Sequence, residues 1–393
     1  MSEFRNSFAE TIFKQKYAQG PDDTWAALSK RLVDDVCGTR NGTVEALLPQ
    51  DELDKLEGYI RDMKFLAGGR YLYYAGREFK AYNNCFLLRA EADTREEWSD
   101  VTWRAMSCLM TGGGIGIDYS KLRPHGSKLA RTGGTASGPL PLMYAINEIG
   151  RNVMQGGSRR SAIYASLNWQ HADVSKFLES KNWSDEIRAG KARDFNYHAP
   201  LDMTNISVNY DDASLVGGLE NNEVFKKNVR QALETAEPGF SFNFGDKQNE
   251  TLRNACTEVT SEDDSDVCNL GSVNMGNVSS PEEFRDIVVL ASKFLVCGTL
   301  RADLRYAKVH QVRAKNRRLG LGLMGIHEWL LKQGSSYEVT PELHKWLQVY
   351  KDESKRSADA FCDQLSISRP VAYRAIAPTG SIGILAKQKL ALH

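Results

Sequence analysis

A thiol, a carboxylate and a carboxamide lie within five residues of this chain, at Cys256, Glu258 and Asn254. A thiol can be the reactive atom, a carboxylate can move a proton, and an amide can hold a polar group of a substrate. If the segment is an extended loop, alternate side chains share a face, and the three would point at one small substrate. The alternative is a buried structural cysteine beside a surface turn, because unpaired cysteine is commonly a small core residue.

The composition is typical of a globular protein with a large core, because 41% of the 393 residues are hydrophobic. The length allows two or three domains, or one large barrel. With 50 basic and 50 acidic side chains, bulk charge gives no reason to expect nucleic acid as a partner. The chain contains no run of eighteen apolar residues, so no membrane span is expected. The polar N-terminus lacks the apolar segment of a signal peptide.

The cysteine pattern favours a reducing compartment. Seven cysteines are spread over the chain without a C-x-x-C pair, so neither a zinc knuckle nor a thioredoxin-like motif is indicated. An odd number at low density is typical of cytoplasmic proteins, where a disulfide is more often catalytic than structural. We therefore expect a cytoplasmic location and no protein-bound metal ion.

Apolar spacing and capping residues predict helices that alternate with short strands. The predicted helices cover much of 1–70, then 94–111 with Thr94 or Asp93 as the cap, about 140–154, 281–300 and 341–364. Predicted strands begin within 111–118, at 163 and at 205. This alternation predicts an α/β architecture with mostly parallel strands.

Two loops rich in Gly, Ser and Arg flank the helix near 140–154. They cover 124–139 and 155–162, and their backbone N–H groups and guanidinium groups could bind phosphates. The alternative is a pair of ordinary surface turns. The glycine-rich segment 111–118 lacks both the G-x-G-x-x-G spacing of dinucleotide sites and the G-K-[ST] ending of a P-loop.

Ten short motifs, found in order between about residue 60 and residue 386, together resemble the catalytic subunit of ribonucleotide reductase. They are 83–86 (NNCF), 113–116 (GGIG), 122–124 (LRP), 136–139 (ASGP), 155–160 (QGGSRR), 205–208 (NISV), 254–258 (NACTE), 268–272 (CNLGS), 319–325 (LGLGLMG) and 377–382 (APTGSI). Each motif is weak alone, but ten in order, with three cysteines among them, identify the chain as an N-terminal portion of such a subunit.

The resemblance implies a ten-stranded α/β barrel, built from two parallel half-sheets around a central finger loop, with its C-terminal part missing here. A mainly helical region would occupy 1–75. The barrel portion would run over 76–386, with the finger near 254–258, and 387–393 would be a tail unlike the family.

The resemblance also implies roles for the site residues. Cys256 would become a thiyl radical and remove the 3′ hydrogen of a ribonucleotide, Glu258 would take the 3′-hydroxyl proton, and Asn254 would hold the ribose hydroxyls. Cys85 and Cys268 would supply two electrons and close to a disulfide. A thioredoxin- or glutaredoxin-type reductant would then reopen that disulfide by thiol exchange.

Two nucleotide sites are implied as well. Substrate phosphates would be bound at a strand-to-helix turn and at one further loop; the residues are Ala377, Pro378, Thr379, Gly380, Ser381, Ser137 and Gly138. A deoxynucleoside triphosphate effector would contact Asp93, Arg123, Arg131, Gly157, Ser158, Arg159 and Arg160.

The segment 68–76, the NNC motif and the finger context are most similar to the adenosylcobalamin-dependent class of the family. The stretch before the barrel is too short for a regulatory ATP-cone. Adenosylcobalamin is therefore the expected cofactor, although no histidine is identified as a cobalt ligand. The alternative is a class I large subunit that works with a metal-containing radical subunit.

The family sequence continues beyond residue 386, whereas this chain reads KQKLALH and ends. One hypothesis is a split reductase, completed by a complementary C-terminal chain; another is a gene interrupted by an intron or intein. A homodimer is a further expectation, because helices at the effector site often dimerise in this family.

Two rival functions are a glycyl-radical enzyme of the formate-lyase type and a non-catalytic nucleotide-binding regulatory chain.

Overall fold

The computed structural model describes residues 4–39, 44–130, 132–153 and 161–386. They form two compact units. The first unit contains Met1–Asn84 and Val267–His393, and the second unit contains Cys85–Asp266. The second unit is thus inserted, in chain order, between the two segments of the first. The division expected from sequence, at residues 75 and 386, stays a prediction.

The first segment of the first unit is mainly helical, as predicted for 1–70. Its elements are α1 (Ser7–Lys16), α2 (Trp25–Val36), α3 (Gln50–Arg61), β1 (Phe65–Ala67) and α4 (Gly69–Tyr74). The side chains of Asn6 and Thr24 cap α1 and α2 by accepting hydrogen bonds from backbone N–H groups of the first turn. In α2, Trp25, Leu28 and Leu32 recur at three- and four-residue spacing and are buried in the core.

The second unit is built on five parallel strands that pair in chain order, with helices between them. The strands are β2 (Cys85–Arg89), β3 (Gly114–Asp118), β4 (Ile163–Asn168), β5 (Thr204–Asp211) and β6 (Gly239–Asn243). The helices are α5 (Arg95–Met110), α6 (Leu140–Asn152), α7 (Val174–Leu178), α8 (Asp185–Arg193) and α9 (Glu223–Thr235). An antiparallel pair, β7 (Leu252–Arg253) and β8 (Thr260–Ser261), follows β6.

These elements confirm the α/β prediction with mostly parallel strands. Helix α5 begins after Thr94, whose side chain accepts a hydrogen bond from the backbone N–H of Glu97, as the capping pattern predicts. The strands expected near 114, 163 and 205 are also present as β3, β4 and β5. Strand β3 is buried along its whole length, which is typical of a parallel strand.

The second segment of the first unit adds two strands and five helices. They are β9 (Asp266–Asn274), α10 (Pro281–Arg301), α11 (Ala307–Asn316), β10 (Leu319–Met324), α12 (Ile326–Lys332), α13 (Pro341–Gln364) and α14 (Gly380–Leu385). Strand β9 pairs with β1 in antiparallel fashion and with β10 in parallel fashion. Short 3₁₀ turns lie at Met275–Asn277 in this segment, and at Asp212–Leu215, Leu219–Asn221 and Gly245–Lys247 in the second unit.

Among the helices of the described ranges, none is long and apolar enough to cross a membrane. Within the same part of the chain, no group of three or more His, Cys, Asp or Glu side chains is arranged to hold a metal ion.

Candidate functional site in the second unit

The Asn254–Glu258 motif lies at the turn of a short β-hairpin, which we call the finger (residues 252–261). Leu252 pairs with Ser261 and Arg253 with Thr260, so residues 254–259 make the turn. The backbone N–H of Thr257 donates to the carbonyl of Asn254 at 3.0 Å, and Thr257 has a φ of 66°. The condition under which alternate side chains would share a face, an extended loop, is therefore not met at residues 254–259, because a chain that reverses within six residues must turn tightly and cannot keep the alternation of a strand.

Two glycines of β3 let the finger lie directly on the sheet. A Cβ atom at Gly116 would be 1.8 Å from the carbonyl oxygen of Arg253. A Cβ atom at Gly114 would be 2.9 Å from the Cβ of Ala255 and 3.3 Å from the Sγ of Cys85. Because Gly114 and Gly116 are two residues apart, they share one face of β3, and that face holds the finger. The glycines of the 113–116 motif therefore have a packing role.

Asn254 closes the turn with its side chain. Its Oδ1 accepts a hydrogen bond from the backbone N–H of Val259 at 3.1 Å, and the residue is fully buried. Because a backbone N–H only donates, the side-chain atom that it contacts must be the oxygen. The Nδ2 of Asn254 is then left as a donor, and it is buried without a hydrogen-bond partner within the described ranges. This is the arrangement expected of an amide that holds an acceptor group of a ligand.

Glu258 carries a buried carboxyl group. Neither of its two oxygens has a hydrogen-bond partner among the described residues. Burial raises the pKa of Glu258, while its own backbone N–H and the nearby Asn254 side chain offset part of this rise. The amide of Asn254 is close enough to influence the carboxyl group without forming a well-aligned hydrogen bond with it. A carboxyl with a raised pKa and no structural partner is suited to exchange a proton with a substrate.

The two cysteines of the second unit that the motif analysis selected share a neighbourhood. Cys256 is exposed at the finger turn, whereas Cys85 is buried at the start of β2. Cys85 pairs in register with Gly114, which also lies beside Ala255, the residue before Cys256. The structure therefore brings Cys85, Asn254, Cys256 and Glu258 to one region of the second unit.

Cys268 belongs to the first unit and is fully buried in β9. Its carbonyl accepts a hydrogen bond from the backbone N–H of Asn84 at 3.4 Å. Beside it, the Nδ2 of Asn83 donates to the Oδ1 of Asn269 at 3.0 Å. The two asparagines of the NNC motif thus attach the residues before Cys85 to the strand that carries Cys268. All seven cysteines are present as thiols.

Of the seven expected effector contacts, the structure brings two together. The carboxylate of Asp93 accepts from the backbone N–H of Arg123 at 2.9 Å and from the indole N–H of Trp98 at 3.0 Å. The Arg123 guanidinium forms an ion pair with the same carboxylate. These bonds lower the pKa of Asp93, although burial opposes them. The other expected contacts, Arg131, Gly157, Ser158, Arg159 and Arg160, lie outside the described residues.

The expected phosphate contacts fall in different units. In the second unit, Gly138 follows Ser137, and a Cβ atom at Gly138 would be 2.7 Å from a carboxylate oxygen of Asp173. That carboxylate accepts from the backbone N–H of His125 at 2.7 Å, and the Ser137 carbonyl lies 3.3 Å from the His125 ring.

In the first unit, residues 377–381 connect an extended segment to α14. The backbone N–H of Ala375 donates to the carbonyl of Leu321 in β10 at 3.0 Å, so the segment before Ala377 runs beside the sheet. Gly380 then begins α14. The turn therefore joins an extended segment, which forms a single bridge to β10 through Arg374, to a short helix. Its phosphate contacts stay a prediction.

Sequence reasoning missed the polar groups that hold the finger and the residues directly after it. Arg104 of α5 and Asp264 form a fully buried ion pair, and Asp264 also accepts from the backbone N–H of Arg89 at 2.7 Å. Arg253, at the end of β7, hydrogen-bonds to β6. No local signal identifies them, because each contact joins residues that are distant in the sequence or on separate strands.

In the second unit, a hairpin that carries a cysteine packs on a parallel sheet at two glycines. This arrangement defines the class of protein as an α/β protein with a thiol finger. The family profile described as ribonucleotide reductase, barrel domain, matches residues 83–213 and 216–345. The chain therefore belongs to the ribonucleotide reductase barrel family, which confirms the resemblance and the fold class seen in the sequence.

Curated relatives agree with this assignment. A vitamin B12-dependent ribonucleoside-diphosphate reductase of Thermoplasma acidophilum is 26% identical over 375 residues, covering 85% of this chain and 48% of the relative. A putative adenosylcobalamin-dependent ribonucleoside-triphosphate reductase of Mycobacterium phage D29 is 28% identical, covering 67% of this chain and 44% of the relative. The large chain of a Schizosaccharomyces pombe ribonucleoside-diphosphate reductase is 24% identical, covering 74% and 42%. The chain spans about half the length of the curated relatives it matches.

Proposed function

We propose that this chain supplies the thiyl-radical finger of a ribonucleotide reductase, which converts ribonucleotides to 2′-deoxyribonucleotides for DNA synthesis. The observation that carries the proposal is the finger itself. An exposed Cys256, a buried Glu258 carboxyl and a buried Asn254 donor lie on one six-residue turn, and neither polar side chain uses these atoms for the fold. Buried polar atoms without partners are costly, so their presence here favours a ligand that pairs with them.

In the proposed reaction, each residue acts on a defined part of the ribose. The Cys256 thiyl takes the hydrogen atom from C3′, and Glu258 accepts the proton of the 3′-hydroxyl. The Nδ2 of Asn254 donates a hydrogen bond to the ribose oxygens. The 2′-hydroxyl takes one hydrogen of the Cys85 and Cys268 thiols as a proton and leaves as water, and C2′ takes the other hydrogen. The two sulfurs join in a disulfide and so supply two electrons, and Glu258 returns its proton to the 3′-oxygen. Cys256 regains a thiyl when it returns its hydrogen atom to C3′.

Adenosylcobalamin is the proposed radical source, supported by relatives that are named as dependent on vitamin B12. When bound, it would supply a carbon radical to the Cys256 thiol. The exposure of Cys256 at the turn suits a radical source that approaches from outside the chain. The same exposure suits a separate metal-containing subunit, the class I alternative.

A thiyl radical must be shielded from water, yet Cys256 is exposed in this chain. We therefore propose that a complementary C-terminal reductase chain covers the finger. Further proposed partners are a ribonucleoside di- or triphosphate, a deoxynucleoside triphosphate effector, a thioredoxin- or glutaredoxin-type reductant, and a second copy of the chain. The proposed location is the cytoplasm, which the odd number and low density of the cysteines support.

The direct test is reconstitution. This chain is co-expressed with the polypeptide encoded downstream of it, and deoxynucleotide formation is measured with ribonucleoside di- and triphosphates, a dithiol and adenosylcobalamin. We expect turnover that needs both polypeptides and is lost in Cys256→Ser and Glu258→Gln. A buried thiol of α5 gives the matched control, Cys108→Ser, which should retain activity.

Each of four results would contradict a part of the proposal. Turnover by Cys256→Ser would exclude the thiyl role of the finger. Turnover by this chain alone would exclude the complementary chain. Turnover that needs a metal-containing subunit instead of cobalamin would assign the enzyme to class I. Nucleotide binding without turnover under every condition would favour a regulatory chain.

A further inference from the structure

Arg253 joins the finger to two strands of the second unit. Its carbonyl oxygen lies against Gly116 of β3, where a Cβ atom would be only 1.8 Å away. Its side chain extends to β6, the last strand in the order β2-β3-β4-β5-β6. Nε donates to the hydroxyl of Ser241, and Nη2 donates to the carbonyl of Phe242 at 3.1 Å and to Oδ1 of Asn243 at 3.0 Å.

The acceptors of Arg253 belong to the buried face of β6. Ser241 and Asn243 are each 2% exposed, whereas Phe240 and Phe242, on the opposite face, are 37% and 45% exposed. Strand β6 thus directs its polar side chains towards the finger and its aromatic side chains away from it. The alternation of a β-strand makes this two-sided arrangement possible.

Every side-chain acceptor of Arg253 is neutral. Within the described ranges no carboxylate lies close enough to form an ion pair with this guanidinium, and burial lowers the pKa of Arg253. A cation in such a place is held by hydrogen-bond geometry. The planar guanidinium offers two neighbouring nitrogens in a fixed fork, which a lysine ammonium cannot reproduce.

The finger needs such an external anchor. Its strands β7 and β8 have two residues each, and an isolated two-stranded hairpin is at best marginally stable in water. The turn that carries Asn254, Cys256 and Glu258 begins at the residue after Arg253. Any displacement of Arg253 is therefore passed directly to the reactive turn.

We propose that Arg253 is the positioning residue of the finger, and that its fork on β6 fixes the place of the Cys256 turn on the face of β3. Arg253 acts through the backbone and through β6, without contact to substrate. The inference rests on the proposed function only for its effect on catalysis. The position of the finger can be measured without nucleotide, cofactor or partner.

The test is hydrogen–deuterium exchange of the full chain, read by mass spectrometry in peptides that cover 252–261. Wild type is compared with Arg253→Gln and Arg253→Lys. The matched control is Arg151→Lys, because Arg151 is a half-buried arginine of the same unit with several acceptors, including Asp202 and the Ala199 carbonyl. Loss of two or more charge-assisted hydrogen bonds should speed exchange of the finger amides at least about tenfold in Arg253→Gln.

We expect Arg253→Lys to exchange at an intermediate rate and Arg151→Lys to leave the finger unchanged. A second readout is the rate at which iodoacetamide alkylates Cys256. This rate should change in the same variants in which hydrogen exchange of the finger changes. Unchanged exchange of the finger in Arg253→Gln would overturn the proposal. Equal acceleration in all peptides of the second unit would overturn it too, because Arg253 would then support general stability.

The acceptor side offers a route if Arg253→Gln fails to fold. Asn243→Ala removes one acceptor and leaves the arginine in place. In a double-mutant cycle with Arg253→Lys, the effects on finger exchange should be strongly non-additive if the two side chains act as one contact. Additive effects would overturn the proposal. If the finger responds as expected while reconstitution yields no deoxynucleotide, the proposed function fails and the positioning role stands.

Discussion

The side chain of Asn254 accepts a hydrogen bond from the backbone N–H of Val259 at 3.1 Å, which closes the turn on which Cys256 lies. One amide therefore has two roles. Its oxygen holds the turn, and its nitrogen is left as a buried donor. The structural role of Asn254 can be tested apart from catalysis, because loss of its side chain should lower the stability of the chain without any substrate or partner present.

Asn254→Ala should destabilise the second unit by about 1–3 kcal/mol, because the buried N–H of Val259 loses its acceptor. Urea denaturation measures the change in free energy of unfolding, and hydrogen exchange reports the Val259 amide. The control is Asn152→Ala, whose side chain bonds the carbonyl of Glu148 in an exposed part of α6. That change should cost less than about 0.5 kcal/mol. Equal losses in both variants would remove the role assigned to Asn254.

Gly116→Ala should force the finger away from β3, because the added methyl group would lie 1.8 Å from the carbonyl oxygen of Arg253. We expect a loss of about 1–3 kcal/mol of stability together with faster exchange at 252–261. Gly20→Ala is the control, since nothing lies within 4 Å of its Cβ position. A Gly116→Ala chain with wild-type stability and finger exchange would show that the close approach is not required.

Cys256 should be the one thiol that reacts quickly with a disulfide reagent in the native chain, because the other six cysteines are buried. Burial also raises the pKa of Cys362 to about 11, which suppresses its reactive thiolate. Titration with 5,5′-dithiobis(2-nitrobenzoic acid) should give one equivalent of rapidly reacting thiol per chain. Cys256→Ser should lose that equivalent, and Cys362→Ser should keep it. A fast equivalent that survives in Cys256→Ser would place the reactive thiol elsewhere.

Local sequence signals predicted the regular elements well. The helix expected at 341–364 is α13, Pro341–Gln364, because Thr340 caps it and Pro341 suits its first turn. Likewise, Thr94 marks the start of α5. Caps and apolar periodicity depend on neighbours within a few residues, so they can be read directly from the chain.

The shape of the finger could not be predicted in the same way. The motif identified Asn254, Cys256 and Glu258, but the turn depends on a hydrogen bond to Val259 and on contact with Gly116, 137 residues before Arg253. The buried state of Glu258 likewise depends on the folded sheet. Such contacts join distant parts of the chain, and a single sequence does not contain the register that makes them.

The raised pKa of Glu258 predicts how stability depends on pH. Burial raises the folded-state pKa of this carboxyl above its ordinary value of 4.5. The folded chain then holds a proton that the unfolded chain has released, so stability falls as the pH rises from the unfolded pKa through the folded one. At neutral pH the ionised Glu258 therefore costs stability.

Glu258→Gln removes this ionisation while keeping the size of the side chain. It should stabilise the chain at pH 7, and the gain should shrink as the pH falls towards the ordinary glutamate pKa. Urea denaturation between pH 4.5 and pH 7.5 measures the difference. The control is Glu223→Gln, because Lys226 lowers the pKa of that exposed carboxyl and its loss should give no gain at neutral pH. A Glu258→Gln chain that is less stable than wild type at pH 7 would mean that the ionised carboxylate contributes to the fold, and the case for its availability to a substrate would be lost.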